Sequence, residues 1–126
     1  MLPVVTALGF AAYPAGTDAG LTPARLPLRE IDAAREDEAL RDGFARRIAR
    51  ERAQDILPLC GDWRPDLLVC DETDFGAIVV AERLGLPVAT VLTSPVGSFV
   101  RRAIVAEPLT ELRAEHGLPP DRKSVV

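Results

Sequence analysis

One histidine, one lysine, one methionine, one tryptophan and one tyrosine occur in the 126 residues, together with only two cysteines. Cys60 and Cys70 are too few for a disulfide framework and are not in C-x-x-C spacing. The single histidine, His116, cannot complete a zinc site with them. Both cysteines are expected to be small apolar core thiols, and no metal is expected. No apolar run approaches the roughly 20 residues that span a bilayer. The start, Met1-Leu2-Pro3-Val4-Val5, lacks the basic segment and long apolar stretch of a secretory signal. A cytoplasmic chain with no membrane partner is the expectation. Basic charge is also short: 15 basic against 19 acidic residues give a net charge of −4. That excludes a general nucleic-acid binder, which needs a basic face to neutralise phosphates. Also missing are G-x-G-x-x-G, the P-loop, the G-x-S-x-G elbow and H-E-x-x-H. What remains is 48% hydrophobic and 27% charged, enough apolar material for one folded domain.

Leu2 to Leu8 has the character of a helix tail, with Gly9 where a left-handed cap belongs. Phe10-Ala11-Ala12-Tyr13 is expected to be a short strand, stopped by Pro14. Ala15 to Arg29, with Gly, Thr, Asp and further prolines, is expected to be a long surface loop. Such loops are usually functional or mobile. From Ile31 the pattern turns helical. Leu40, Phe44 and Ile48 recur every four residues, with Ala45, Ala49 and Ala53 beside them. The charges between them fit a solvated helix face, with pairs such as Asp42–Arg46 and Arg47–Glu51. Pro58 is expected to kink or end this helix and Gly61 to close it.

Leu67-Leu68-Val69-Cys70 is a continuous apolar run, the mark of a strand buried on both faces of a parallel sheet. Phe75 to Leu84 is an apolar helix with Asp74 or Thr73 as N-cap and Gly85 as C-cap. Val88 to Leu92 is a second strand. The three make a right-handed βαβ unit. A last helix is expected to start at Pro108 and run to about His116. The fold class expected is α/β, an incomplete Rossmann-like parallel sheet flanked by helices. Residues 1–120 would form the domain and 121–126 a frayed tail.

Two segments could carry chemistry. Asp71, Glu72 and Asp74 end the first βαβ strand, and Thr93 to Ser98 form a polar turn after the second. Ligands of open α/β sheets bind beyond such strand ends. Asp71 is as well explained by an orienting or proton-handling carboxylate as by a solvated charge near a helix N-terminus. Asp74 is better explained as the cap. His116, in the last turn of a helix, is better explained by the dipole than by catalysis.

The segments Trp63 to Asp71, Asp74-Phe75-Gly76-Ala77 and Ala81 to Pro87 closely resemble the N-terminal domain of GT-B fold glycosyltransferases. The branch is UDP-glycosyltransferase-like enzymes that act on bacterial natural products such as macrolides. Leu109 to Pro120 resembles the linker helix of these enzymes, and Leu2 to Ala15 resembles the helix, Gly turn and strand before their long loop. The resemblance implies an inverting transfer of a sugar from a nucleotide-sugar donor to a hydroxyl of a small hydrophobic acceptor. It implies an orienting role for Asp71 beside a histidine base, and an acceptor pocket bordered by Thr93, Ser94, Val96, Ser98 and Phe99. The histidine-bearing Gly-rich loop and the donor-binding half find no counterpart in these residues. The chain is therefore expected to be a piece of an acceptor domain, inactive by itself, holding no cofactor. The nucleotide sugar would be a co-substrate of the complete enzyme only. A bare sheet edge left beside Leu67 to Cys70 would favour self-association. Competing expectations are a non-catalytic acceptor-binding or oligomerising remnant, and a receiver-like or flavodoxin-like domain with Asp71 as phosphoacceptor.

Overall fold

A computed structural model of the chain describes residues 2–17, 27, 29–93 and 99–120. The tail expected over 121–126 lies outside the described residues. Helix α1 spans Leu2–Ala7, and Gly9 follows at φ +87°. That left-handed conformation suits glycine because no Cβ obstructs it. The strand expected at Phe10 to Tyr13 does not form. The segment joins no strand among the described residues: the Phe10 N–H donates to the Val5 carbonyl at 3.4 Å instead, and Phe10 and Tyr13 are exposed. A strand exists only where a neighbour takes its backbone hydrogen bonds, and local β propensity cannot supply one.

The main scaffold is one unbroken helical run: α2 (Ala33–Glu38), a π-wound segment (Ala39–Ile48) and α3 (Ala49–Trp63). Asp32 caps it by accepting a bond from the Arg35 N–H at 3.1 Å. The expected four-residue stripe is displaced by the π winding. The buried positions are Leu40, Ala45, Ala49, Ala53, Ile56 and Cys60, whereas Phe44 and Ile48 are half-buried. The step from Leu40 to Ala45 is five residues, one more than an α-helix allows on a single face. The Ala49 N–H correspondingly reaches the carbonyl of Phe44, five residues back. A π turn adds the extra residue that moves the stripe.

Pro58 and Gly61 do not end the helix, which continues to Trp63 and is closed by Arg64 at φ 54°. Gln54 and Pro58 both lie on the exposed side, where water can take the carbonyl that the missing proline N–H leaves unpaired.

Strand β1 (Leu68–Asp71) pairs in parallel with β2 (Val88–Val91), Leu68 opposite Val88 and Asp71 opposite Val91. Helix α4 (Phe75–Leu84) connects them, so the expected βαβ unit forms. Its N-cap is Asp74, whose carboxylate accepts from the Ala77 N–H at 3.1 Å. Its C-cap is Gly85 at φ +67°. α4 lies against α3 at very short range. An added Cβ on Gly76 would come within 2.7 Å of Arg52 Cβ and 2.9 Å of the Ala53 nitrogen.

Among the described residues β1 is covered on one face only, and all four residues of β2 are exposed. Cys70 is buried and Leu68 half-buried, but Val69 is 65% exposed and Val91 51%. The double burial expected of the apolar run is thus absent from the described residues. A continuous apolar run fixes strand character, but the second covering layer must come from elsewhere in a fold.

Helix α5 spans Arg102–Glu115, starting six residues before the expected Pro108. The cause is a stripe at Val105, Pro108, Leu109 and Leu112, all buried, with the 3-4-7 spacing of one helix face. Pro108 therefore lies inside the helix. α5 runs alongside the scaffold helix, and charges on both tie them together. Arg101 pairs with Asp37, Arg46 with Glu111, and Arg50 with Glu115 at 2.5 and 2.9 Å. The Arg50 guanidinium holds the Glu115 carboxyl below the usual carboxylate range. Arg113, buried on the inner side, makes a two-pronged pair with Glu82 of α4 and also donates to the Pro119 carbonyl at 3.0 Å. The architecture is a partial Rossmann-like α/β fold. Among the described residues no helix is long and apolar enough to cross a membrane.

Candidate functional site

The parallel pairing brings the C-terminal ends of β1 and β2 side by side, with Asp71 on one and Thr93 two residues beyond the other. Asp71 is exposed. Its Oδ1 accepts two bonds from Thr73, from the backbone N–H at 2.7 Å and the hydroxyl at 2.6 Å. This turn holds the carboxylate in one orientation. Its Oδ2 has no hydrogen-bond partner among the described residues.

Glu72 behaves unlike the solvated loop charge that its surroundings in sequence suggest. It is only 7% exposed. Its Oε1 accepts from both the N–H and the hydroxyl of Thr93, at 3.1 and 3.2 Å. Its own N–H donates to the Val91 carbonyl at 3.2 Å. One side chain thus links the end of β1 to the chain leaving β2. Burying a carboxylate is tolerated only when such bonds replace its water. Glu72→Gln retains an acceptor oxygen and should keep this link. Glu72→Ala should lower unfolding free energy by about 2 kcal/mol. It should also speed hydrogen exchange at the Thr93 amide, measured by NMR; unchanged exchange there would show that Glu72 does not hold this turn.

Asp74 is the helix cap that sequence reasoning preferred, and it has a second task. Arg52 of α3 reaches it with Nε at 3.4 Å and pairs closely with the other carboxylate oxygen. Arg52 also donates to the Ala15 carbonyl at 3.1 Å. The hydrogen bond to Asp74, helped by the fields of Asp71 and Asp55, raises the guanidinium above its ordinary value, so Arg52 stays charged. The first residues of the expected long loop are seated on the same helix. Gly16 N–H donates to Asp55 at 2.7 Å and Thr17 N–H to Glu51 at 3.4 Å. Those contacts bring the loop's start to the acidic end of β1.

Of the expected acceptor residues, Thr93 is exposed and held by Glu72, while Ser94, Val96 and Ser98 lie outside the described residues. The Phe99 ring meets Phe44 edge to face, centroids 5.9 Å apart. Phe44, on the π-wound segment, is therefore a neighbour of this region that sequence reasoning left in the core stripe. Arg52 was likewise missed, and Glu72, named only as part of the acidic turn, was not expected to be a buried link to Thr93. Their roles depend on partners 22 and 21 residues away, and no local pattern marks such pairs.

His116 caps α5, where Arg83 of α4 approaches its Nδ1 and its carbonyl, each at 3.4 Å. Burial, with Arg83 adding to it, holds the imidazole below its usual value. It therefore favours the neutral state, and Arg83 supplies the cation at this helix end instead. Cys70, inside the sheet, has its thiol raised chiefly by burial, as an inert core thiol should. A groove of about 370 Å³ runs along the π segment between Arg35, Glu38, Ala39, Asp42, Gly43 and Arg47. None of the expected site residues lines it.

A parallel βαβ unit with an acidic turn at its C-terminal end is a partial Rossmann-like fold, of the kind found within GT-B glycosyltransferases. The particular relatives agree. Over 46 residues, 36% of this chain and 11% of the other, it is 50% identical to 4'-demethylrebeccamycin synthase of Lentzea aerocolonigenes. Its fold matches the solved structure of spinosyn forosaminyltransferase SpnP with a TM-score of 0.61 at 20% sequence identity. That match covers 99% of this chain and 34% of the other. No protein-family model matches the chain. The chain is thus related to glycosyltransferases, and it spans about a third of the solved relative and about a tenth of the curated one.

Proposed function

We propose that residues 1–120 form part of the acceptor-binding domain of a glycosyltransferase that moves a sugar from a nucleotide-sugar donor to a hydroxyl of a small hydrophobic natural product. The observation that carries this reading is the coincidence of two likenesses: 50% identity over 46 residues to 4'-demethylrebeccamycin synthase and a fold match over 99% of the chain to spinosyn forosaminyltransferase. An alcohol is a poor nucleophile, so a base must take its proton as the new bond forms. Asp71 is the orienting carboxylate for that base. Thr73 holds its Oδ1, which leaves Oδ2 to bind and charge-stabilise an imidazole. The chain's single histidine is engaged with Arg83 and does not take that role. The 126 residues are therefore inactive in isolation. Thr93, Ser94, Val96, Ser98 and Phe99 border the acceptor, with apolar groups against its body and hydroxyls fixing its orientation.

The test is an NMR titration of the 126-residue chain with macrolide alcohols and with nucleotide sugars in turn. Saturable shifts at the Thr93 and Phe99 amides with an alcohol, none with a nucleotide sugar, and no glycoside by mass spectrometry are expected. Tight nucleotide-sugar binding, or silence at Thr93 and Phe99 with every alcohol, would remove the acceptor-domain assignment.

A further inference from the structure

We infer that Arg52 is a positioning residue for the acceptor: it holds the backbone of Ala15 to Thr17 in place as one wall of the crevice at the C-terminal end of β1. This rests on the acceptor-domain reading and deepens it. Ala15, Gly16 and Thr17 belong to no helix or strand, so no regular ladder fixes them. Side chains of α3 fix them instead. The Gly16 N–H donates to Asp55 at 2.7 Å and the Thr17 N–H to Glu51 at 3.4 Å, while Arg52 donates to the Ala15 carbonyl at 3.1 Å. Glu51 and Asp55 are one helical turn apart with Arg52 between them, so all three project from one side of α3. A hydrogen bond from the Thr17 side chain is the chief reason that the Glu51 carboxyl lies below its usual range.

Arg52 carries this clasp to the site. Its Nε and one terminal nitrogen pair with the two Asp74 oxygens, and the other terminal nitrogen takes the Ala15 carbonyl. One guanidinium thus touches both the loop's start and the N-cap of α4. The Asp74 N–H in turn donates to the Asp71 carbonyl at 3.2 Å, so a single side chain separates Ala15 from the carboxylate turn. Ligands of open α/β sheets bind in the crevice beyond such strand ends. Lysine cannot do the same work, because an ammonium is one point of charge and does not present a fork to three acceptors.

The form of the clasp separates positioning from packing. Of the three residues only Ala15 packs on the core. Thr17 is exposed, and Gly16 stands at φ +77° with no side chain to bury. Apolar burial therefore contributes little here, and hydrogen bonds to charged groups order the segment. An irregular segment fixed in this way to a rigid helix is suited to shape a ligand's surroundings. The seat is close: a Cβ added to Gly16 would lie 3.0 Å from Arg52 Cδ.

The test is an NMR titration of the 126-residue chain with macrolide alcohols. The Gly16 and Thr17 amides should shift along with those of Thr93 and Phe99 and saturate at the same concentration. Arg52→Lys should weaken alcohol binding about tenfold, the scale of one hydrogen bond to a charged group, and speed hydrogen exchange at the Gly16 amide. Gly16→Ala, which strains the clasp from the loop side and leaves Arg52 paired with Asp74, should weaken binding similarly. Gly9→Ala carries the same left-handed strain, at φ +87° with open space at its Cβ, and should leave binding unchanged. Asp55→Ala should weaken binding, and Asp55→Asn, which keeps an acceptor oxygen, should restore it. Shifts at Thr93 and Phe99 without shifts at Gly16 and Thr17 would overturn this inference and leave the acceptor-domain reading standing. An alcohol affinity untouched by Arg52→Lys and Gly16→Ala would do the same, as would an equal loss in Gly9→Ala. Silence at all of these amides would remove both.

Discussion

Gly76→Ala should cost this chain about 3 kcal/mol or more in unfolding free energy, although alanine is the better helix former. In an open helix the same change gains up to about 1 kcal/mol, because glycine loses more backbone freedom on folding. At Gly76 the new methyl would meet Arg52 Cβ at 2.7 Å and the Ala53 nitrogen at 2.9 Å, with the Ala49 carbonyl oxygen closer still. Two of these three atoms belong to the α3 backbone and cannot rotate aside. α4 must then move outward, loosening Phe75, Ala77 and Val80 from the core they share with Ala49 and Ala53. Overpacking of this kind costs 1–3 kcal/mol and more where backbone must shift. Gly43 and Gly61 have open space where a Cβ would go. Gly61→Ala is therefore the control and should raise the urea midpoint. A rise for Gly76→Ala as well would contradict the close approach of α4 to α3.

The second large effect is expected at Glu82. Its partner Arg113 is only 6% exposed and takes both Glu82 oxygens. Glu82→Ala removes the carboxylate and leaves a buried guanidinium with less compensation. Breaking a fully buried pair costs about 3–5 kcal/mol. Glu82 is itself 40% exposed on its side chain, so water offsets part of the loss and about 2 kcal/mol is expected. The Arg50–Glu115 pair looks equally well formed, but its side chains are 36% and 44% exposed. Such pairs contribute well under 1 kcal/mol because solvent screens them. Glu115→Ala should therefore move the urea midpoint far less than Glu82→Ala. Equal shifts would mean that burial of Arg113 does not govern the energetics of α5.

The contrast between those two pairs also shows what was legible beforehand. Both consist of an arginine and a glutamate on helices, and nothing in the local pattern separates them. The βαβ unit was legible because its signals are local: an apolar run, an acidic N-cap at Asp74, Gly85 at the C-cap and Pro87 after it. The helix over Ala33 to Trp63 was legible in kind but not in phase. Its buried face steps from Leu40 to Ala45, and only the π winding explains why Phe44 leaves the core stripe to meet Phe99. Pro58 and Pro108 misled in opposite ways, one seeming to stop a helix and one to start it. Each is instead carried inside a helix by the packing of its neighbours.

The candidate site divides along the same line. Sequence alone determined the fold class, the paired strand ends and the capping role of Asp74, since each follows from hydrophobic period or turn chemistry over a few residues. Only the tertiary structure decided that Glu72 is buried to hold Thr93, that Arg52 gathers Asp74 and Ala15, and that β2 and the outer face of β1 stay bare among the described residues. Those outcomes depend on which distant groups replace lost water or leave it in place, and distance along the chain carries no record of that.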